Sequence, residues 1–148
     1  MSEATIKTQI KAILERVNGI GVVHNRIRYS RSIAEFLALM SSGGKVNGWM
    51  ITRKSTPAER DTMPTINRAH LFKIMAIYDL DDAAASEITF QAILDAIFDA
   101  FKSNYNLNGT AQNSEPVQIE DVDVDEYGGK LFHTAELSLS VNERSLYT

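Results

Sequence analysis

Apolar residues at helical spacing mark the first element: Ile6, Ile10, Ile13, Leu14 and Val17 predict an amphipathic helix over residues 4–17. Gly19 suits a left-handed cap at its end. "VVHNRIRY" (22–29) reads as a strand. Ser32 and Glu35 then form an S-x-x-E capping box, opening a short helix with Ile33, Phe36, Leu37 and Met40 facing inward. "SSGGKVNG" (41–48) reads as a loop, and "WMITRKS" (49–55) and "INRAHLFKIMAIY" (66–78) as strands.

The long strand is informative. At ~3.3 Å per residue it would span about 43 Å, comparable with the diameter expected of a chain this size. Its second half is apolar on both faces apart from Lys73, as a central strand should be, while its first half is more polar. That contrast predicts a hairpin with 49–55 whose far end projects beyond the core. Residues 56–65, held by Pro57 and Pro64, would form its charged tip.

Ser86 is expected to cap the main helix, over 87–103, with Phe90, Ile93, Leu94, Ile97, Phe98 and Phe101 as its apolar stripe. Residues 104–116 read as a polar loop. Two strands finish the chain, joined through "EYGGK", where Gly128-Gly129 suits a tight hairpin turn. Asp121, Asp123 and Asp125 share one strand face, with Val122 and Val124 on the other. Val117 and Ile119 sit in the opposite phase, so a bulge is expected near Glu120-Asp121. The order α-β-α-β-β-α-β-β predicts an α+β fold: one domain over 1–148, with a mostly antiparallel sheet, two or three helices packed on it and a projecting hairpin.

Composition excludes several classes. With 44% hydrophobic and 23% charged residues the chain is ordinary for a globular protein. No stretch approaches the ~20 apolar residues of a membrane span, and the N-terminus lacks the apolar region of a secretory signal. This pattern is expected of a protein made and kept in a cytoplasm. The absence of cysteine removes disulfides and thiol chemistry.

The net charge of −4 hides a segregation: 12 Lys+Arg against 5 Asp+Glu over 1–78, and 12 acids against Lys102 alone over 79–126. Either the fold interleaves the two blocks, or the subunit carries a basic and an acidic flank suited to contact between copies.

Candidate chemistry is sparse. Counted from Asp121, a calcium loop would need glycine where Glu126 stands and a bidentate glutamate where Phe132 stands. His24, His70 and His133 lie on separate strands without metal-ligand spacing, and no nucleophile elbow occurs. Asp95 and Asp99 belong to the outer face of the main helix, and Trp49 to the core. Neither catalytic residues nor a metal or cofactor site is expected. A hydrolytic or small-molecule-binding domain would require His70 or His133 beside a carboxylate in an enclosed pocket.

Basic residues cluster at Arg26, Arg28 and Arg31, and again at Arg53, Lys54, Arg60 and Arg68, the latter flanking Glu59 and Asp61. A pI of about 5.3 argues against a nucleic-acid binder and for contacts with acidic protein surfaces. Glu120, Asp121, Asp123, Asp125 and Glu126 read as a solvated sheet face, a docking surface or the wall of a lumen.

The layout as a whole resembles a known family. "IKTQIKAILERV", a short strand, a short helix containing Phe36, "VNGWMITRKST" entering a long loop and buried strand, "FQAILDAIFDAF" and a closing "LFHTAELSLSVNER" are together similar to the tail terminators (tail-completion proteins) of tailed bacteriophages, of lambda-like or contractile type. The resemblance implies a structural virion protein at the tail–neck junction, assembled in the host bacterial cytoplasm. It would form a homohexameric ring that caps the tail tube, ends its polymerisation and meets the head connector, with sheath as a further partner in contractile tails. DNA would pass through without specific binding. In that setting Arg53, Lys54, Glu59, Arg60, Asp61 and Arg68 would form a subunit or tube interface, and the acids 120–126 would face a lumen or a docking partner. A head-completion or connector protein of the same neck is the alternative.

Overall fold

The structure, a computed structural model, describes residues 3–62, 65–109, 111 and 113–146, excluding the side chains at 60–62 and 145–146. Helix α1 (Glu3–Glu15) buries Ile6, Ile10, Ile13 and Leu14, the stripe its spacing predicts. Gly19 follows at φ +91°, the left-handed backbone that favours glycine. Strand β1 (Val22–His24) is shorter than expected: residues 25–29 carry no strand pairing.

Helix α2 (Ile33–Leu39) is capped by Ser32, whose Oγ accepts from the Glu35 amide at 3.1 Å. Glu35 returns a bond to the Arg31 amide, one residue before the position a capping box uses. Ile33 departs from expectation, being 49% exposed, because this helix covers only an edge of the sheet.

The expected loop at 41–48 is a hairpin. β2 (Ser41–Ser42) pairs with the start of β3 (Lys45–Ser55) across Gly43-Gly44, both at positive φ. The hairpin end also differs from expectation. Within the expected tip, 56–65, lies a further strand, β4 (Ala58–Thr62), paired with the first part of β5 (Thr65–Asp79) from Ala58↔Arg68 to Thr62↔Thr65. Pro57 interrupts the line from β3 to β4, but its carbonyl accepts from the Ala69 amide, so pairing resumes at once. Pro64 and Met63 lie outside the described residues.

A 3₁₀ turn (Asp82–Ala84) leads into α3 (Ser86–Lys102). Ser86 does not cap α3. Left-handed Ala85 holds the cap position, and the Ser86 hydroxyl instead accepts from the Asp81 amide at 2.8 Å. β6 (Asn113–Ser114), β7 (Gln118–Tyr127) and β8 (Lys130–Leu146) complete the chain, β7 and β8 turning through Gly128-Gly129 at positive φ.

All eight strands join one sheet of path β1-β3-β5-β8-β6, with β2, β4 and β7 on its flanks. Only β1–β3 is parallel, so the expected mostly antiparallel α+β fold is observed. β5 and β8 pair from Thr65↔Leu146 to Asp79↔Phe132 and form the spine.

Alternation along the spine sorts side chains onto two faces. Trp49 and Ile51, Phe72, Ile74 and Ala76, and Leu137, Leu139 and Val141 meet α1 and α3 in the main core. On the opposite face Met50, Ile77 and Phe132 meet Met40 and the flank of α2 in a smaller cluster. Gly48 permits this crossing, since a Cβ there would stand 2.6 Å from the Met40 Cβ and 2.8 Å from its backbone. Beyond Phe72, toward Thr65, the three strands β4, β5 and β8 continue as an arm whose spine positions Thr65–Ala69 are only half-buried. At ~3.3 Å per residue the five positions Thr65–Ala69 extend about 16 Å past the core.

Candidate interaction surface

The α2 side of the sheet is covered at one end only. Past α2 the floor consists of Met75, Lys73 and Leu71 on β5 beside Thr134, Glu136, Ser138 and Ser140 on β8, the alternate positions that face away from α1 and α3. Two adjoining cavities follow this floor. One, of about 180 Å³, lies among Phe36, Met40, Met75, Ile77, Asp121, Asp125 and Tyr127. The other, of about 430 Å³, lies between Lys54 and Lys73 on one side and Glu115, Glu120 and Glu136 on the other.

The acidic wall of this trough is β7, and the expected bulge builds it. Registry shifts between Glu120↔Glu136 and Asp123↔Thr134, with Asp121 at φ +47°. The inserted residue lets Ile119 pack on the main core while Asp123 and Asp125 still pair with Thr134 and Phe132, positions of the trough face. Glu120, Asp121, Asp123, Asp125 and Glu126 are all exposed. Glu120 accepts from the Ser138 hydroxyl at 3.0 Å and Asp125 from the Thr134 hydroxyl at 2.7 Å, which orients both carboxylates without neutralising them. Glu120, Asp121 and Glu136 bring carboxylate oxygens within 4.8 Å of one another. Glu136 is already ion-paired to Lys73, so this trio is a partly neutralised sheet pair rather than a prepared cation cage.

The basic residues singled out from the sequence do not form one patch. Arg53 and Lys54 are exposed near the base of the arm and Glu59 is exposed within it, paired with Asn67, and the side chains of Arg60 and Asp61 lie outside the described residues. Arg68 turns inward. Its guanidinium donates to Glu143 Oε1 at 2.7 Å, and Glu143 is 4% exposed. His70, fully buried, places Nε2 3.2 Å from Glu143 Oε2 and Nδ1 3.2 Å from the Thr56 hydroxyl. Burial raises the Glu143 carboxyl, but hydrogen bonds from Arg68 and His70 and their charges outweigh that and hold it below the ordinary value. This network escaped the sequence reading because Arg68 and Glu143 are joined only by the β5–β8 register.

The other histidines have separate partners. His24 Nε2 lies 2.7 Å from the Leu39 carbonyl. His133 stacks on Phe90 and shares a 2.8 Å hydrogen bond with Ser86. Burial lowers the His133 pKa, with Glu87 pulling weakly the other way. A histidine beside a carboxylate therefore exists, but at 0% exposure and with both ring nitrogens engaged His70 offers no atom to a substrate.

Ion pairs among the described residues are Lys7–Glu3, Arg68–Glu143, His70–Glu143, Lys73–Glu136 and Lys130–Asp79. None of these joins a cation of 1–78 to an acid of 79–126, although Lys54 and Lys73 face Glu115 and Glu120 across the second cavity. No described helix is long and apolar enough to cross a membrane. No protein-family model matches the chain, and no curated protein matches it significantly.

Proposed function

We propose that the chain is a ring-forming tail terminator of a tailed bacteriophage, a structural component at the junction of tail and neck. The observation that carries this reading is that, among the described residues, no ion pair joins the basic block to the acidic one, leaving charge for other copies and other virion parts to neutralise. The reading draws also on the resemblance noted from the sequence, and the arm offers a reach of about 16 Å toward a neighbour or the tube.

In this role copies assemble as a hexameric ring on the last disc of tube protein, end its polymerisation and offer the opposite surface to the head connector. In a contractile tail the same ring meets the last sheath layer. The β7 acids suit a lumen as well as a docking wall, because like charge keeps passing DNA from adhering.

Co-expression with the tube protein of the same virion tests the proposal by electron microscopy. Tubes ending in a ring, against overlong bare tubes when the chain is omitted, are expected. Unchanged tube growth together with capture of portal-side proteins would move the chain to the head-completion role. Rings whose β7 acids face outward would discard the lumen.

A further inference from the structure

Between β1 and α2 the chain carries an exposed segment in which the side chains of Arg26, Ile27, Tyr29 and Arg31 are all exposed. Tyr29 is 84% exposed and Ile27 48% exposed. Arg26 and Arg31 beside them are exposed and form no ion pair among the described residues. Arg28 is held back against His24 Nδ1 at 3.2 Å, leaving the other side chains as the protruding set. The trough has the complementary character: an aromatic and methionine-lined cavity with unneutralised carboxylates on its rim.

We propose that this segment of one copy docks in the trough of a second copy, Tyr29 entering the cavity between Phe36, Met75 and Tyr127, and Arg26 and Arg31 facing Glu120, Asp121 and Asp125. At about 180 Å³ the cavity has room for one aromatic ring, given that an apolar cavity of about 150 Å³ accepts benzene. A phenol buried there needs a hydrogen-bond partner, and Asp121 and Asp125 line the same cavity. Tyrosine and arginine are also the side chains that most often dominate protein contacts.

The segment does not fill the cavity of its own chain. Residues 30–33 line a separate cleft against Phe36 and Tyr127, so these two aromatics stand between segment and cavity. A second copy brings its own free segment to the same place. The contact serves a reciprocal or a head-to-tail pairing alike. It deepens the assembly reading and rests on it for the presence of neighbouring copies. A nucleic acid is the other natural partner for arginines, but the trough beside them repels phosphate.

Sedimentation velocity of the full chain in low and high salt tests the contact. The wild-type chain is expected to self-associate in low salt and to dissociate as salt rises. Tyr29→Ala, at a side chain too exposed to affect folding, should weaken association about tenfold or more. Arg26→Glu/Arg31→Glu and Glu120→Lys/Asp125→Lys should each be monomeric, and an equimolar mixture of the two should regain the oligomer. A wild-type chain that stays monomeric in low salt at its highest soluble concentration overturns the contact. So does duplex DNA retained by the wild type and released by Arg26→Glu/Arg31→Glu with association unchanged. An oligomer indifferent to all three variants overturns it too, while leaving the tail reading standing. A chain that caps no tube yet shows the charge-swap rescue does the reverse.

Discussion

Replacing Glu143 by alanine probes the polar network at the root of the arm. The carboxylate sits between Arg68 at 2.7 Å and His70 at 3.2 Å. Its loss leaves the His70 ring, at 0% exposure, with Thr56 alone, and the Arg68 guanidinium without its anion. Removing one partner of a fully buried pair costs about 3–5 kcal/mol, whereas an exposed pair contributes about 0–1 kcal/mol. The Arg68 side chain is 35% exposed, so water replaces part of what it loses. The expected loss is therefore about 2–4 kcal/mol, a large share of the ~5–15 kcal/mol that holds a domain together.

Urea unfolding at neutral pH measures this as a lower midpoint with an unchanged m-value. The pH profile adds a sign. Because the folded pKa of Glu143 lies below its ordinary value of 4.5, the stability it contributes is complete above that value. It drains as pH falls through the folded pKa, and Glu143→Gln should flatten that slope. A loss under about 0.5 kcal/mol for Glu143→Ala, the range of an ordinary surface change, would refute the reasoning.

Three further outcomes are expected. His133 is lowered from 6.5 by burial, so stability should fall as pH drops from 6.5 through its folded pKa, and His133→Phe should remove that slope from an acid titration of unfolding. Gly48→Ala drives a Cβ into Met40 and its backbone and should cost about 1–3 kcal/mol or more by calorimetry, against little for a glycine-to-alanine change in open space at ordinary φ. Ser32→Ala removes the cap bond to the Glu35 amide and should cost about 1 kcal/mol in chemical denaturation, with helix content otherwise kept.

Much of this architecture was legible from local pattern. The stripes of α1 and α3, the Gly128-Gly129 turn and the bulge at Glu120-Asp121 each follow from residues close together in the chain. Periodicity reports which face is buried, and glycine pairs report where backbone must turn left-handed. Where polar strands pair, that signal is weak. β4 reads as a charged tip because "AERDT" has no apolar face, and its strand character comes from β5 across the hairpin. The Gly43-Gly44 hairpin was missed in the same way, through a two-residue strand too short to show a period. Ser86 illustrates a competition between partners: the local rule makes it a cap, while the fold brings the Asp81 amide and His133 within reach of its hydroxyl.

The site divides along the same line. Sequence alone determined the two blocks of opposite charge, the exposed acids of β7 and the α+β arrangement that carries them, because composition and alternation are properties of neighbouring residues. Only the tertiary structure decided that Arg68 is spent on Glu143, that Lys73 neutralises Glu136, and that the acids 120–126 and the arginines 26–31 find no partner in each other. Pairing of charges depends on a few ångströms of separation between strands far apart in the chain, and that distance exists only once the sheet has formed.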